Sequence, residues 1–352
     1  MDIHMGSNAL DPDVVRQLHL MDKAIEHQYG VKHLHYYVNP EEGMGFCLLS
    51  GPDKETCAKV HEASHGNVAS NIIEVEDTVY KSFMGKVEAD AADMIQSING
   101  QPDPGYRVVL YAELVGISDS IPRLTDLLVA TVVKNGGRLV ELTRNSIVCS
   151  FTDGNSACYA AGTLTGFAKE YKREGLDLKI GLATGNPVTQ HGATLFEETV
   201  ALATKLAYSA PLGGVLASSK TSAICQGNRQ KLSEKFRLSF LRKSQEEFIN
   251  KLFYVLDQQI NSGLMSVENL CLQLGVSRSQ LYRKIGFFSG ASPKEFIREF
   301  RLTKGLNLIE TTEQTVSETA YQLGFNKPAI FSKQFKDRFG VTPSSAKKLL
   351  TS

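Results

Sequence analysis

No run of this chain stays apolar for long enough to cross a bilayer, and no basic-then-apolar leader opens it. Both absences point away from a helical membrane protein and from a secreted one. The six cysteines, Cys47, Cys57, Cys149, Cys158, Cys225 and Cys271, show no CxxC spacing. They read as reduced thiols of a cytoplasmic protein. Net charge is missing too, since 38 Lys and Arg balance 38 Asp and Glu. The balance is uneven along the chain: residues 231–352 hold 19 Lys/Arg against 11 Asp/Glu, near +8, which leaves near −8 on the rest. A basic end on an acidic body predicts a polyanionic partner for that end alone. The 352 residues allow two or three domains.

What the chain does have is a repeat. One copy reads Ser266-Val-Glu-Asn-Leu-Cys-Leu-Gln-Leu-Gly275 and the other Thr315-Val-Ser-Glu-Thr-Ala-Tyr-Gln-Leu-Gly324. Each is followed by a further helical run and closes on Gly-x-Ser/Thr-Pro, at Gly290-Ala-Ser-Pro293 and Gly340-Val-Thr-Pro343. Helix, tight turn and second helix make a helix-turn-helix. In the first copy Val267, Leu270 and Leu274 form the buried stripe and Gly275 stops the helix. Ser277 and Gln280 have capping-box spacing, and Leu281, Ile285 and Phe288 point inward. Arg278, Ser279, Tyr282 and Arg283 are left outside. In the second copy Ile330 or Phe331, with Phe335, points inward, and Lys327, Ser332, Lys333 and Lys336 lie outside. A helix with a basic, hydroxyl-bearing outer face fits the major groove of double-stranded DNA.

Ala320-Tyr-Gln-Leu-Gly-Phe325, Phe331-Ser-Lys-Gln-Phe335 and Phe339-Gly-Val-Thr-Pro343 carry a resemblance to the AraC/XylS family of bacterial transcription regulators, over roughly Phe248 to Leu350. The resemblance implies two helix-turn-helix units joined by a long helix, here Pro293 to Ile309, roughly 25 Å long. That suits recognition helices entering major-groove faces about 34 Å apart. By motif position, base contacts fall on Ser279, Tyr282 and Arg283, then on Ala329, Ser332 and Lys333. Pro328 and Ala329 stand where longer polar residues are common in the family, so the second unit reads methyl groups or binds mostly phosphates.

At the other end, Asp2-Ile3-His4 reads as a strand, and Asp11-Pro12 opens a helix with Val14 or Val15, Leu18, Met21 and Ile25 as its buried stripe. Strands over Val31 to Val38 and Met44 to Ser50, a helix from Asp53 to about His65 and a strand over Ile72 to Val75 complete a ferredoxin-like βαββαβ unit. Seven of the eight histidines lie in the first 65 residues: His4, His19, His27, His33, His35, His61 and His65. His61 and His65 share a helix face with Cys57 one turn earlier, and His33 and His35 share one side of a strand. Imidazoles so paired suit nickel or another divalent transition metal. Ordinary surface histidines with Cys57 in the core are the alternative. Met1-Asp-Ile-His4, Tyr29-Gly-Val31, Phe46-Cys47, Val60-His61 and His65-Gly66 resemble a small family of ferredoxin-like nickel-binding proteins. That resemblance raises His4, His61 and His65 above the other histidines as metal ligands.

Thr78 to Asn99 reads as a helix, followed by a linker at Gly100 to Gly105. A second α/β unit on an antiparallel sheet follows: strand Arg107 to Val115, helix Pro122 to Lys134, strands Arg138 to Leu142 and Ser146 to Phe151, helix Asn155 to Glu174, strand Leu178 to Thr184, helix Leu195 to Ala210 and a final strand at Gly213 to Leu216. Gly136-Gly137, Thr143 with Phe151, Ile180-Gly-Leu-Ala-Thr-Gly185, Pro187-Val188, and Gly192 through Leu195-Phe196 to Thr199-Val200 resemble the class III adenylate/guanylate cyclase domain over roughly residues 105–228. The resemblance places the family's two metal aspartates at Glu113 and Asn145, and its transition-state Asn and Arg at Ala201 and Lys205. With one metal carboxylate and the Asn gone, the unit reads as degenerate and not as an enzyme.

The expected architecture is therefore multidomain α+β: residues 1–77 ferredoxin-like, 78–104 a helical linker, 105–228 cyclase-like, 229–244 a linker, and 245–352 an all-α double helix-turn-helix. The expected function is a cytoplasmic DNA-binding transcription regulator. Its N-terminal units sense a metal or an unidentified effector, form a homodimer, or both. The rivals are a nucleotide cyclase fused to a DNA-binding tail and a metal-binding or tolerance protein.

Overall fold

The structure is a computed structural model and describes residues 1–6, 10–97, 99–225, 227–262 and 265–351. The first unit runs β1 (Asp2–Met5), α1 (Pro12–Ile25), β2 (Lys32–Asn39), β3 (Met44–Ser50), α2 (Lys54–Ser64) and β4 (Asn71–Ile72). Its sheet has the order β2-β3-β1-β4, every pairing antiparallel. Asp11 caps α1, with Pro12 in its first turn, and Asp53 caps α2 by accepting from the Thr56 N–H at 2.7 Å. The buried stripe of α1 is not the apolar one expected. Val15, His19 and Asp22 are buried, whereas Val14 and Met21 are 47% and 44% exposed. Asp22 turns inward to His61, Ser64 and His65, and His19 to Asp93 and the Tyr36 ring of β2. The last strand spans only Asn71–Ile72, short of Val75.

The helix expected from Thr78 to Asn99 stops at Met84, as α3 (Asp77–Met84). Gly85 then takes φ 78°, and a small hairpin of β5 (Glu88–Ala89) and β6 (Ile95–Gln96) follows. Asp90 makes the hairpin turn, its carboxylate accepting from the Ala92 and Met94 N–H groups at 2.8 and 3.1 Å. Met94 packs with Val15 and Tyr36, so this segment is part of the first unit and not a helical linker. Ile98, within the segment expected as helix, and Gln226, within the stretch expected as cyclase-like, lie outside the described residues.

The second unit comprises β7 (Arg107–Val115), α4 (Ile121–Lys134), β8 (Arg138–Leu142), β9 (Ser146–Phe151), α5 (Gly154–Gly166), α6 (Ala168–Arg173), β10 (Asp177–Gly185), α7 (Glu197–Ser209), β11 (Val215–Ala217), α8 (Ser219–Ile224), α9 (Arg229–Lys235) and β12 (Leu238–Phe240). Its six strands have the order β12-β11-β10-β7-β9-β8. The sheet is mixed, not antiparallel throughout, because β10, β11 and β12 run parallel. The linker expected at 229–244 is largely absent. Leu232 and Leu238 are buried in the core of this unit, and β12 pairs with β11. The charged surface of α9 had disguised a covering helix as a hinge. The helix expected over 155–174 is divided at Phe167.

One face of the sheet is covered by α4 and α5 in a closed apolar core. The other face receives α7, and its core is continuous with those of the first unit and the tail. A Cβ on Gly181 of β10 would lie 2.0 Å from the Ala203 carbonyl oxygen of α7, so only glycine lets the helix lie that close. α3 wedges between the first two units, with Phe83 stacked on Phe196 at 4.8 Å and the Phe83 carbonyl accepting from Ser150 Oγ and Arg138.

The tail is all helical: α10 (Lys243–Gln259), α11 (Val267–Leu274), α12 (Arg278–Ser289), α13 (Pro293–Thr311), α14 (Val316–Gln322), α15 (Pro328–Phe339) and α16 (Pro343–Thr351). Gly275 and Gly324 make the two turns at φ 67° and 72°, and capping boxes start α12, α13 and α14. Leu281, Ile285 and Phe288 are buried on α12, and Phe331 and Phe335 on α15, with Ile330 44% exposed. Of the two residues left open for the second copy, Phe331 is the inward one. Replacing Gly181 by Ala should lower the stability of the full chain by about 1–3 kcal/mol through overpacking against α7. Urea denaturation followed by circular dichroism measures this, and an unmoved midpoint would mean that α7 is not seated there.

Candidate nucleic-acid interface and histidine centre

α12 and α15 present the residues expected on their outer faces. Arg278, Ser279, Tyr282 and Arg283 are exposed on α12, and Lys327, Ala329, Lys333 and Lys336 are exposed on or just before α15. Ser332 is half-buried. Arg278 reaches Glu268 at 3.2 Å and lies over the Tyr282 ring at 5.8 Å. That ion pair is fully in solvent, where such pairs contribute little, so the guanidinium is free to exchange partner. Among the described residues Arg283, Lys333 and Lys336 form no ion pair, and their charge is available to an outside anion. Pro328 and Ala329 fill the first turn of α15, leaving that end short of polar reach.

Two residues escaped the sequence reading. Lys294 and Arg298, one turn apart on α13, line a groove of about 970 Å³ between the two motifs, together with Arg278, Tyr282 and Ile330. The segment was taken as a spacer, although its basic i, i+4 pair was visible.

In the first unit the strands and helices gather five histidines around two buried carboxylates. β1 carries Asp2 and His4, α1 carries His19 and Asp22, β2 carries His33, and α2 carries His61, with His65 just past its C-terminal end. His61 is buried, its Nε2 2.9 Å from Asp2 and its Nδ1 3.0 Å from Asp22. Both ring nitrogens face a carboxylate, so both carry protons. Burial alone would pull its pKa down, but the hydrogen bonds and charges of Asp2 and Asp22 push it up to about 10. Burial would raise Asp22, yet the hydrogen bond and charge of His61, the Ser64 hydroxyl and the charge of His65 hold it at about 2. Asp2 is likewise held well below the usual carboxylate range against its burial, by His4 and His61.

His65 lies 3.2 Å from Asp22 and His4 3.6 Å from Asp2. The His4 and His61 rings are 4.7 Å apart, and those of His61 and His65 5.7 Å. The expected metal ligands fall in two sets that share no residue, Asp2–His4–Cys47 and Asp22–His61–His65, each with its ligand atoms within 4.8 Å of one another. Cys57 does not join them, being packed instead with Val31 and Val60. His33 and His35 do not share a side either. A bulge between them turns His33 to Glu26 at 2.8 Å and leaves His35 on Tyr80 at 2.6 Å. Alternation counted along the sequence could not foresee that extra residue. The buried His33 Nε2 has no hydrogen-bond partner and lies 3.9 Å from Asp22. Imidazoles and carboxylates in both sets, with a buried thiol in one of them, fit a borderline divalent cation.

In the second unit Glu113 is buried and accepts from Tyr111 at 2.8 Å, from Tyr208, and from Asn145 at 3.2 Å. Burial raises its pKa against those bonds.

Residues 270–348 match a helix-turn-helix domain family. The tail is an AraC-type helix-turn-helix domain. Residues 1–75 match the nickel responsive, SCO4226-like proteins. The histidine kinase P4 of Formosa agariphila is 36% identical over 99 residues, 28% of this chain and 7% of that protein. The Msm operon regulatory protein of Streptococcus mutans is 32% identical over 120 residues, 33% of this chain and 43% of that protein. This chain therefore spans less than half the length of either relative. A solved structure described as an adenylate/guanylate cyclase/hydrolase from Silicibacter pomeroyi is 18% identical, covering 35% of this chain and 81% of that one, at a TM-score of 0.30. No described helix is long and apolar enough to cross a membrane.

In metal-free protein, the stability contributed by His61 is full below its ordinary 6.5 and fades as pH rises through about 10. Asp22 acts in the opposite sense: its contribution holds above 3.8 and is lost as pH falls towards 2. Urea titrations at pH 6, 8 and 10 should show a declining midpoint in wild type and a flatter profile in His61→Gln. Equal slopes would contradict the bridged imidazolium.

Proposed function

We propose that the chain is a DNA-binding transcription regulator whose AraC-type tail reads two neighbouring stretches of major groove. One observation carries this: two helices of like build expose cations that have no ion-pair partner among the described residues, Arg283 on α12 and Lys333 and Lys336 on α15. Base contacts are assigned to Ser279, Tyr282 and Arg283 on α12 and to Ala329, Ser332 and Lys333 on α15. Arg278, Lys327 and Lys336, with Lys294 and Arg298 in the intervening groove, are assigned to phosphates. The first unit senses a divalent transition metal, nickel first, through His4, His61 and His65 with Asp2 and Asp22. The strand order β2-β3-β1-β4 supports a ferredoxin-like reading of that unit. A bound divalent ion would replace the His61 protons as the countercharge of the two aspartates. A homodimer on two half-sites belongs to the same reading.

The second unit is assigned a binding or assembly role and not nucleotide cyclisation. In-line attack on a triphosphate needs two carboxylates free to hold two divalent ions. Here Glu113 is occupied by two phenols and an amide, and Asn145 brings no charge. Incubation with ATP or GTP and manganese should yield no cyclic nucleotide.

Genomic footprinting of the full chain, with and without nickel, tests the central proposal. Recovery of no preferred site over random competitor at low salt would end it. Arg283→Ala should cost roughly 1–3 kcal/mol and relax preference at one base pair, whereas an equal loss on all sequences would reassign Arg283 to a phosphate. Equilibrium dialysis with nickel should show bound metal in wild type and its loss in His61→Ala/His65→Ala. Unchanged stoichiometry would remove the metal site.

A further inference from the structure

A cavity of about 520 Å³ lies where the second unit meets the tail. That is the size of a small-molecule site. One wall is α7, with Ala201, Thr204, Lys205 and Tyr208; the opposite wall is built from α10, α13 and α14. Phe253, Phe300, Leu308 and Leu323 make that wall largely apolar. Asp257, Thr303, Lys304, Asn307 and Gln322 interrupt it, and Lys205 lines the α7 wall opposite. Thr303 is 6% exposed, and its hydroxyl has no hydrogen-bond partner. Among the described residues Lys205 forms no ion pair and donates to the neutral Asn250 amide oxygen at 2.8 Å, with the charges of Asp257 and Glu198 acting on it from beyond ion-pair distance. The neighbouring Lys304 is already neutralised by Asp257 at 2.5 Å. Among the described residues the cavity therefore carries one cation without an ion-pair partner beside a largely apolar wall and a hydroxyl that lacks a hydrogen bond.

We propose that this cavity binds a small organic monoanion with an apolar body, its charge on Lys205 and an oxygen on Thr303, and that occupancy holds the tail docked on the second unit. The site is separate from the histidine cluster. Both walls must be present for the ligand to be enclosed, so binding favours the docked arrangement by its differential affinity. Because Gln322 and Leu323 of the second motif and Phe253 of α10 line the same space, the ligand contacts segments flanking both motifs. Partial burial disfavours the charged form of Lys205, against the nearby charges of Asp257 and Glu198. The ligand clause stands on the cavity alone. The docking clause also rests on the DNA-binding reading above.

The test uses the full chain and 1-anilinonaphthalene-8-sulfonate, an apolar monoanion whose fluorescence rises in such sites, beside its uncharged counterpart N-phenyl-1-naphthylamine. Saturable binding of one sulfonate per chain is expected. Lys205→Gln should weaken the sulfonate about tenfold and leave the neutral dye unchanged, and Lys205→Arg should restore it. Ala201→Trp, which fills the mouth, should weaken both dyes. Thermal melts confirm that each variant is folded. Equal sulfonate affinity in wild type, Lys205→Gln and Ala201→Trp would overturn the ligand site, whatever the DNA results. Binding of DNA fragments from the footprint is then measured with saturating dye. A shift in affinity that Lys205→Gln abolishes supports the docking clause. Normal dye binding with unshifted DNA affinity refutes docking while the ligand site stands. No DNA binding by the dye-free chain refutes the DNA reading instead.

Discussion

Everything in this molecule leans on the seating of α7. The helix lies directly on β10 because Gly181 offers no side chain there, and its far side meets α10 of the tail. One helix thus has a sheet beneath it and a DNA-binding domain above it. The apolar core on that side of the sheet runs unbroken from Met1 and Ile3 of the first unit, through Phe196 and Leu206, to Phe331 and Phe335. The other side of the sheet closes on itself under α4 and α5. The two faces do different work: one stabilises the second unit internally, and the other joins three units.

That difference explains what could be read from the sequence. The tail was legible because each element is set by local chemistry: capping boxes at Ser277 and Thr315, glycines at the turns, and apolar residues at helical spacing. The convergence of His4, His61 and His65 was legible through resemblance, and the i, i+4 spacing of two of them agreed with it. What failed was set by distant contacts. α9 and β12 read as a hinge because Leu232 and Leu238 are thinly spread among charged residues, and only the edge of the sheet completes their environment. The helix expected through Asn99 rested on apolar spacing that in fact serves a hairpin, whose turn Asp90 organises. The bulge at Leu34 undid the simple alternation of His33 and His35.

The histidine centre shows how a unit of this size can keep several charges inside. Asp2 and Asp22 are both almost fully buried, and among the described residues neither pairs with a lysine or arginine. The His61 ring lies between them, with His4 and His65 at the flanks. Removing one partner from a buried ionic network costs far more than the network contributes. This holds β1, α1 and α2 in fixed register even though the sheet edge at β4 is only two residues long.

The connecting helix α13 is held along its length. Near its start, Glu299 and Asp177 of β10 share the guanidinium of Arg338, which belongs to the last turn of α15. At its end, Glu310 takes Arg144 from the turn between β8 and β9. A rod of 19 residues spans about 28 Å, less than one turn of B-form duplex. Arg338 and Arg144 clasp it at both ends to the body of the protein. In the DNA-binding reading proposed above, two motifs held at so short a spacing would make the bending of the intervening base steps part of the binding energy.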